Sequence, residues 1–339
     1  LVRGGGYDEN TYRFRRRGSA DPMDRSAKNG IRLAVYPDSQ AAPPSAYQPD
    51  AMAAVVDYRN NQPVGDDVFQ VYREQFSYDN TELGAQVESR TDSAEAWIQE
   101  TVSFDAAYGG ERVLAHLFIP TNASPPYQTV IYFPGSAATM MQSSENLDDY
   151  YEFSMFLSFL VRNGRAVLFP VYKGTFERSD PQLTAIHGGR NTFAYTEFVR
   201  QLAMDFRRCI DYLETREDID AERIAFYGMS WGGTVGAIIT AVEPRVAASV
   251  LIAGGLGGPS RPEVLETNYA SRVNIPTLML NGIHDQGVDD TIRPTFELLG
   301  TPDEDKRLIL YDTDHIPPKA EYIRETLAWL DRYLGPVER

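Results

Sequence analysis

Short apolar runs alternate along the chain with longer segments whose apolar residues recur at helical spacing. The runs have the length and composition of strands that are buried on both faces of a parallel sheet. They lie at residues 129–133, 166–169, 224–227, 248–252, 277–280 and 308–311. The helical segments lie between and after them, near residues 145–162, 193–214, 231–242, 289–299 and 319–334. The pattern therefore predicts parallel strands joined by the crossover helices that such strands require.

A second pattern, the alternation of apolar and polar residues, precedes these runs. It covers residues 97–104 and 112–119, and Tyr108-Gly109-Gly110 lies between the two segments. Alternation on both sides of a glycine turn predicts an antiparallel hairpin. We therefore expect an α/β fold whose eight-stranded, mostly parallel sheet carries helices on both faces.

The first part of the chain lacks both patterns. Residues 37–65 are rich in turn-forming residues and are typical of a linker. Helical spacing resumes at Asp66. We interpret residues 1–65 as an N-terminal extension and linker, and residues 66–339 as one folded domain.

Charge is distributed unevenly along the chain. The formal net charge is −16, and residues 1–36 hold eight Arg or Lys against four Asp or Glu, a balance of +4 that leaves −20 for the rest. An acidic body repels nucleic acid and anionic membranes, and no stretch approaches the ~18 apolar residues of a membrane span. We therefore expect a soluble chain, cytoplasmic or periplasmic, with no nucleic-acid partner and no membrane span.

Cysteine usage and motif spacing narrow the chemistry further. The chain has one cysteine, Cys209, so an internal disulfide and a cysteine metal cluster are excluded. No spacing of His, Cys and carboxylate residues is typical of a metal site, and no glycine-rich loop is typical of nucleotide binding. We expect no metal and no cofactor.

One serine occupies the junction between a predicted strand and a predicted helix. The segment Tyr227-Gly228-Met229-Ser230-Trp231-Gly232 joins the run at 224–227 to the helical segment at 231–242. A Gly-x-Ser-x-Gly turn forces the serine into a strained conformation and holds its hydroxyl above the carboxyl end of the strand. A plain helix N-cap is the alternative for Ser230. Its position between two buried strands favours a nucleophile.

Two further loops at the predicted sheet edge carry the partners that a serine nucleophile needs. Such a serine requires a base that takes its proton and an acid that orients the base. Asp285 follows the run at 277–280, and His315 follows the run at 308–311. Both loops leave the same edge of the sheet as Ser230. We predict that Ser230, Asp285 and His315 form a catalytic triad.

Other side chains near these loops are alternatives. Asp312 and Asp314 are rival acids close to His315, and His284 is a second histidine beside Asp285. Neighbours on one loop rarely face each other in the geometry of a triad, which favours Asp285 over its rivals. We expect His284 to line the pocket.

These residues resemble those of a known family. From about Trp97 to Leu334 the chain resembles α/β-hydrolases of the dienelactone-hydrolase-like and acyl-esterase type, through the serine turn and the loops of Asp285 and His315. In that family the base follows the last strand, as His315 does. The resemblance implies that the backbone amides of Ser136 and Trp231 form the oxyanion hole. Two departures are that Pro-Gly replaces the usual His-Gly before Ser136, and that dienelactone hydrolases proper use a cysteine nucleophile.

A closer resemblance covers more of the chain. Residues 102–109, 130–136 and 170–175 are similar to the hydrolase region attached to some bacterial serine/threonine protein kinases. Residues 1–36 resemble the tail of a formylglycine-generating, sulfatase-modifying-like domain. The resemblance implies a bacterial parent protein in which the chain is fused to a kinase or to a sulfatase-modifying-like domain.

Together these features predict a serine carboxylic-ester hydrolase whose catalytic domain covers residues 66–339. The segment at 171–195 is too long for a minimal strand-to-helix connection, and we expect it to overhang the site as a small cap. We expect its residues Tyr172 and Lys173 to line a fairly open pocket for small-molecule esters with short acyl or small aryl groups.

Two other functions share some of these features. A prolyl-oligopeptidase-like serine peptidase has the same triad order, but the residues upstream of Trp97 are too few for its propeller domain. A non-catalytic sensor or binding domain of a larger signalling protein is the second alternative, which an intact triad opposes. The oligomeric state is not indicated by any of these patterns.

Overall fold

The computed structural model describes residues 62–94, 96–180 and 189–337, together with two short strands near the N-terminus. The chain divides into two compact units, Leu1–Val55 and Val56–Arg339. In the first unit, strand β1 (Val2–Arg3) pairs antiparallel with strand β2 (Arg17–Gly18). The predicted extension at residues 1–65 lies almost wholly outside the described residues, so the proposed domain division stays a prediction.

The described part of the second unit contains a nine-stranded sheet. Its strands are β3 (Gln86–Ala94), β4 (Trp97–Asp105), β5 (Arg112–Pro120), β6 (Tyr127–Phe133), β7 (Ala166–Val171), β8 (Ile219–Met229), β9 (Ala248–Ile252), β10 (Thr277–Gly282) and β11 (Lys306–Tyr311). Their order across the sheet is β11-β10-β9-β8-β6-β7-β5-β4-β3. Strands β6 to β11 are parallel to one another, and β3, β4 and β5 are joined by antiparallel pairing. The mostly parallel sheet is therefore confirmed.

The predicted number of strands was wrong by one. All eight predicted strands are present, and β3 adds a ninth at the edge next to β4. Its sequence is polar, and its register with β4 shifts between Val87 and Ser89 and again between Thr91 and Ala94. Irregular, polar strands are common at sheet edges because they bury little apolar surface and discourage pairing with other chains. A search for apolar runs therefore could not find β3.

Helices pack on both faces of the sheet. They are α1 (Asp66–Glu74), α2 (Ser158–Arg162), α3 (Phe193–Glu214), α4 (Trp231–Val242), α5 (Thr267–Ala270), α6 (Arg293–Leu298) and α7 (Lys319–Tyr333). Short 3-10 helices lie at Ser136–Met140, Leu147–Asp149, Phe176–Arg178, Pro262–Val264 and Asp303–Asp305, and π-helical turns at Phe153–Leu157 and Val288–Ile292. The predicted bounds of α3 and α4 are confirmed at both ends.

The single helix predicted near 145–162 is wrong. The structure divides this segment into a 3-10 helix, a π-helical turn and the short helix α2. Tyr150 and Glu152 are both buried and lie between the 3-10 helix and the π-helical turn. The predicted helix is therefore interrupted where these two side chains enter the core.

The core forms two apolar layers, one on each face of the sheet. Neighbours along the central strand β8 alternate between them: Phe226 belongs to the layer with α3 and α4, and Tyr227 to the layer with α2 and α7. Cys209 of α3 is fully buried in the first layer. Because both faces are covered, the open surface of the sheet is its edge, where the strands end and the loops begin.

Candidate active site

Ser230 lies at the tight turn between β8 and α4. Its backbone has φ 54° and ψ −102°, an unfavourable conformation for a residue with a side chain. The Ser230 amide donates to the carbonyl oxygen of Ile252 in the neighbouring strand at 2.7 Å. Two more non-glycine residues of the described part, Phe176 and Ala253, also have positive φ, and both follow the carboxyl ends of parallel strands. Strained backbone is therefore concentrated at this edge of the sheet.

The glycines on either side of Ser230 are required by close backbone packing. A Cβ atom on Gly228 would lie 2.5 Å from the carbonyl group of Gly232. A Cβ atom on Gly232 would overlap the carbonyl oxygen of Phe133, at the end of β6. The Gly-x-Ser-x-Gly spacing therefore lets α4 start directly against two strand ends, which fixes the position of the Ser230 hydroxyl.

A chain of hydrogen bonds joins Ser230, His315 and Asp285. Ser230 Oγ lies 2.8 Å from His315 Nε2, and His315 Nδ1 lies 2.8 Å from Asp285 Oδ2. The carboxylate of Asp285 is buried, and its other oxygen accepts from the amide of Gln286 at 2.7 Å. The structure thus brings the three residues predicted for a triad into direct contact, with His315 between Ser230 and Asp285.

The loops that carry Asp285 and His315 are held together by backbone hydrogen bonds. The amide of Ile283 donates to the carbonyl oxygen of Tyr311 at 2.7 Å, and the amide of His284 donates to that of Thr313 at 3.1 Å. Both loops leave neighbouring parallel strands, β10 and β11. The backbone hydrogen bonds between β10 and β11 therefore continue into the two loops and hold His315 close to Asp285.

The two amides expected to form an oxyanion hole lie at helix starts. Trp231 is the first residue of α4, and Ser136 is the first residue of the 3-10 helix that ends at Met140. Amides at a helix start have no acceptor within the helix and favour negative charge. The two segments are tied together because the amide of Gly232 donates to the carbonyl oxygen of Pro134 at 3.2 Å. Their role as oxyanion donors stays a prediction.

Two of the three alternative residues on these loops, His284 and Asp312, contact each other. His284 Nε2 lies 2.6 Å from Asp312 Oδ1, and both side chains are exposed to solvent. Neither is part of the hydrogen-bonded chain that joins His315 to Asp285. His284 is therefore a surface residue of the acid loop, and whether substrate reaches it stays a prediction.

The expectation that Tyr172 lines an open pocket is wrong. Its side chain is fully buried, its ring stacks on Phe133 with centroids 4.1 Å apart, and its hydroxyl donates to the carbonyl oxygen of Tyr132 at 3.2 Å. The residue directly follows β7, whose end lies in the core, so the ring turns inward to fill space between strands.

Lys173, the second residue expected to line the pocket, takes part in a network of ion pairs and hydrogen bonds. Its Nζ donates to Glu111 Oε1 at 2.6 Å, and its amide donates to Asp205 Oδ2 at 2.9 Å. Arg178 donates to the same two carboxylates, and Tyr108 donates to Asp205. Burial raises the pKa of the Asp205 carboxyl, and Arg178 acts against that shift. This network fixes the segment after β7 to the hairpin turn and to α3.

Of the two remaining histidines, the structure describes only His116. His116 is buried on β5, where its Nε2 lies 2.8 Å from Ser144 Oγ. His187, within the segment expected to form a small cap, lies outside the described residues. Within the described residues, no group of three or more His, Cys, Asp or Glu side chains could hold a metal ion, and no helix there is long and apolar enough to cross a membrane.

Sequence reasoning missed one polar residue next to the site, Glu152. Its carboxylate is fully buried and accepts hydrogen bonds from the amide of Gly135, at 3.1 and 3.2 Å. A charged residue within an apolar stretch, Tyr150 to Leu160, was the available signal. It was hidden because the segment reads as an amphipathic helix with Glu152 on a surface face.

Two protein-family models match the chain. The model described as acetyl xylan esterase (AXE1) matches residues 51–256, a span that includes Ser136 and Ser230. The model described as BAAT / acyl-CoA thioester hydrolase C terminal matches residues 204–309, which include Ser230 and Asp285 but not His315. No curated protein matches the chain.

Solved structures of esterases share the fold at low sequence identity. An acetyl xylan esterase from Paenibacillus sp. R4 is 20% identical, with a TM-score of 0.57, over 86% of this chain and 100% of that one. Acetyl xylan esterase 1 from Thermoanaerobacterium sp. JW/SL YS485 is 16% identical, with a TM-score of 0.61, over 80% of this chain and 96% of that one. A Klebsiella pneumoniae subsp. pneumoniae MGH 78578 protein assigned as a dienelactone hydrolase is 21% identical, with a TM-score of 0.53, over 70% of this chain and 100% of that one. The chain thus has the α/β-hydrolase fold.

Proposed function

The chain belongs to the acetyl xylan esterase (AXE1) family and is a serine carboxylesterase-type hydrolase, and we propose that it cleaves short-chain acyl esters through Ser230, His315 and Asp285. One observation carries the proposal: two hydrogen bonds of 2.8 Å join these side chains in sequence at the carboxyl edge of the sheet. The strained backbone of Ser230 and the burial of Asp285 support it, because both restrict the reacting groups to one geometry.

The first chemical step forms an acyl-enzyme. His315 Nε2 takes the proton of Ser230 as Oγ attacks the ester carbonyl carbon, and the carbonyl oxygen becomes an oxyanion. We assign the amides of Trp231 and Ser136 to that oxyanion, where one donor is worth about 3 kcal/mol in acyl-transfer enzymes. His315 then gives its proton to the departing alkoxide as the carbon–oxygen bond breaks, which releases the alcohol.

The second step returns the free enzyme. His315 removes a proton from a water molecule, whose oxygen attacks the acyl carbon, and the same imidazole protonates Ser230 Oγ as the carboxylic acid leaves. Asp285 accepts from Nδ1 throughout, which keeps the tautomer in which Nε2 can take a proton. The carboxylate also stabilises the imidazolium between the two transfers.

We propose acetyl as the preferred acyl group. The family model and two of the similar structures carry the name acetyl xylan esterase. The segment between β7 and α3 is the expected cap, and its described part is held down by the network of Lys173, Arg178 and Asp205 instead of forming an inserted lid domain. Turnover of p-nitrophenyl esters should be fastest for acetyl to butyryl chains, and a maximum at dodecanoyl would contradict this preference.

An acyl thioester is the second candidate substrate. The match to an acyl-CoA thioester hydrolase model over residues 204–309 favours it. The same triad chemistry applies, with a thiolate as the leaving group. Acetyl esters and acetyl-CoA assayed side by side distinguish the two, and a higher kcat/KM for the thioester would replace the ester in this proposal.

Labelling of Ser230 tests the enzyme assignment directly. A fluorophosphonate probe should label the wild-type chain and leave Ser230→Ala unlabelled, and Ser230→Ala should lose ester turnover while its circular dichroism and Tm stay the same. A peptide-amide panel serves as the second arm. Faster turnover of amides than of esters would indicate a serine peptidase, and an unlabelled, inactive wild type would indicate a sensor or binding domain.

The proposed connection to other domains rests on sequence resemblance alone. The family matches begin at residue 51 and so do not extend to residues 1–36. A fusion to a kinase or to a sulfatase-modifying-like domain in the parent protein therefore stays a proposal, and the partner assigned to the catalytic unit is a small-molecule ester.

A further inference from the structure

A buried carboxylate lies beneath the loop that carries Ser136. Glu152 has no solvent exposure, and its Oε2 and Oε1 accept from the hydroxyls of Tyr132 and Tyr151 at 2.8 and 2.9 Å. The amide of Gly135 donates to both oxygens, at 3.1 and 3.2 Å. Within residues 62–94, 96–180 and 189–337, no Arg, Lys or His forms an ion pair with Glu152.

Within the described residues, the carboxylate of Glu152 accepts hydrogen bonds from neutral groups and has no positively charged partner. Burying a carboxylate away from cations is costly, and burial raises the pKa of Glu152 while its hydrogen bonds act against that shift. Its three partners, two hydroxyls and one amide, all donate, and a carboxylate offers only acceptors. The arrangement is complementary to the ionised side chain and directs it at the backbone of Gly135.

The backbone of Gly135 connects this carboxylate to the expected oxyanion site. Gly135 is extended, with φ −70° and ψ 167°, a polyproline-like conformation in which successive amides point in different directions. The Gly135 amide points inward at Glu152, and the next residue, Ser136, is exposed to solvent, so we infer that the Ser136 amide is directed away from the carboxylate. Pro134 has no N–H of its own, and its carbonyl oxygen accepts from Gly232 in α4.

Close packing holds Gly135 between Glu152 and the residue that precedes the nucleophile. A Cβ atom on Gly135 would lie 2.7 Å from Glu152 Oε1 and 2.9 Å from Met229 Sδ. Met229 is the residue before Ser230, so the loop packs against the carboxylate on one side and against the start of the serine turn on the other. A π-helical turn, Phe153–Leu157, follows Glu152 directly, and such turns recur at functional sites.

We propose that Glu152 is a positioning residue, which holds the amide of Gly135 and thereby aims the amide of Ser136 at the oxyanion of the acyl-transfer step. The inference rests on the proposed function and adds a residue to it. Glu152 does not touch the substrate. It acts through the loop, whose displacement by about 1 Å would lower the rate on the order of 100-fold.

Replacement of Glu152 by glutamine tests this role. Glu152→Gln keeps the shape of the side chain but replaces one of the two oxygens that accept from the Gly135 amide with an NH₂ group, so one contact of the loop is lost. We expect kcat for an acetyl ester to fall about 100-fold with KM nearly unchanged, because oxyanion contacts act in the transition state and not in the bound substrate. Affinity for a trifluoromethyl ketone, which forms a tetrahedral adduct with Ser230, should fall in parallel with kcat.

Glu243 offers a matched control for the loss of a buried carboxylate. It is also fully buried, at the far end of α4, where it accepts from Arg207 and Arg245. Glu243→Gln should lower Tm without changing kcat or the affinity for the ketone. Tyr151→Phe removes a different donor from Glu152 and leaves the Gly135 contact in place, so its kcat should stay close to wild type.

The possible outcomes separate this inference from the function on which it rests. An active wild type, an inactive Ser230→Ala and an unchanged kcat in Glu152→Gln would overturn the positioning role alone. An inactive wild type would overturn the proposed function and the positioning role with it. If Glu152→Gln does not fold, Gly135→Ala tests the same contact from the loop side, and a wild-type kcat in that variant would equally reject the inference.

Discussion

The backbone of Gly282 lies so close to the carbonyl oxygen of Asp314 that a Cβ atom at Gly282 would overlap that oxygen. Gly282 ends β10 and begins the loop of Asp285, and Asp314 is the neighbour of His315. The contact between these two backbones therefore sets how far the acid stands from the base. No side chain of the triad takes part in it.

Gly282→Ala should accordingly separate the two loops and lengthen the hydrogen bond between His315 and Asp285. We expect kcat/KM for an acetyl ester to fall by about 100-fold, because small displacements of catalytic groups have effects of that size. Gly258→Ala is the control on the same edge of the sheet, since its Cβ would meet only the side chain of Arg190, at 3.7 Å. Equal activity of both variants would show that the loop contact does not set the catalytic geometry.

The role of Asp285 can be separated from that of its exposed rival. Asp285→Asn keeps the shape of the side chain but removes the charge that fixes the tautomer of His315, and a loss in kcat of about 10⁴-fold is expected from a triad of this kind. Asp312→Asn changes a residue that contacts His284 at the surface and should leave kcat unchanged. Steady-state kinetics of the two variants decide the assignment, and the opposite ranking would move the acid to Asp312.

His116 should make the stability of the chain depend on pH. Burial lowers the pKa of His116 from 6.5 to about 4, against a small opposing effect of Glu177. The unfolded chain therefore binds a proton first, so the contribution of this residue is complete above pH 6.5 and is lost as the pH falls towards 4. The free energy of unfolding should decrease by about 3 kcal/mol over that window on account of His116.

Urea unfolding of the wild type and of His116→Gln between neutral and acidic pH checks this expectation. The two proteins should differ by a constant amount above pH 6.5. Below it, the wild type should lose stability more steeply, because only the wild type has the imidazole. Parallel curves over the whole range would contradict the assigned cause.

The N-terminal segment should be dispensable for catalysis. The acetyl xylan esterase match begins at residue 51, and strands β3 to β11 all lie after residue 85. Deletion of residues 1–36 should therefore leave a folded, active esterase, with an altered dependence on salt because a basic segment is removed from an acidic body. Deletion through residue 119 removes β3, β4 and most of β5 and should give insoluble protein. An inactive short deletion with unchanged circular dichroism would place part of the active site in that segment.

Sequence patterns predicted the parts of this fold in which burial and chemistry coincide. The Gly-x-Ser-x-Gly spacing identified Ser230 because the backbone packs too closely at Gly228 and Gly232 for any residue with a side chain. The carboxyl ends of parallel strands lie at one edge of the sheet, so the loops of Asp285 and His315 were expected to lie beside Ser230.

The missed features depend on contacts between segments that are distant in sequence. Tyr172 is aromatic and follows a strand, as a pocket residue would, and only the packing against Phe133 shows that it points into the core. Lys173 is neutralised by Glu111, 62 residues away. Glu152 was not recognised because its contact with the expected oxyanion loop is to a backbone amide, that of Gly135, which the sequence pattern does not show.

The positive φ angles of Phe176, Ser230 and Ala253 affect how the protein loses activity on heating. Each such residue raises the energy of the folded backbone by on the order of 1–3 kcal/mol, and all three follow strands that end at the same edge. Relaxation of these turns releases that energy while the strands below stay paired. We therefore expect thermal inactivation to be a local event that occurs at a lower temperature than unfolding of the sheet, so that activity and Tm report on two different parts of the same molecule.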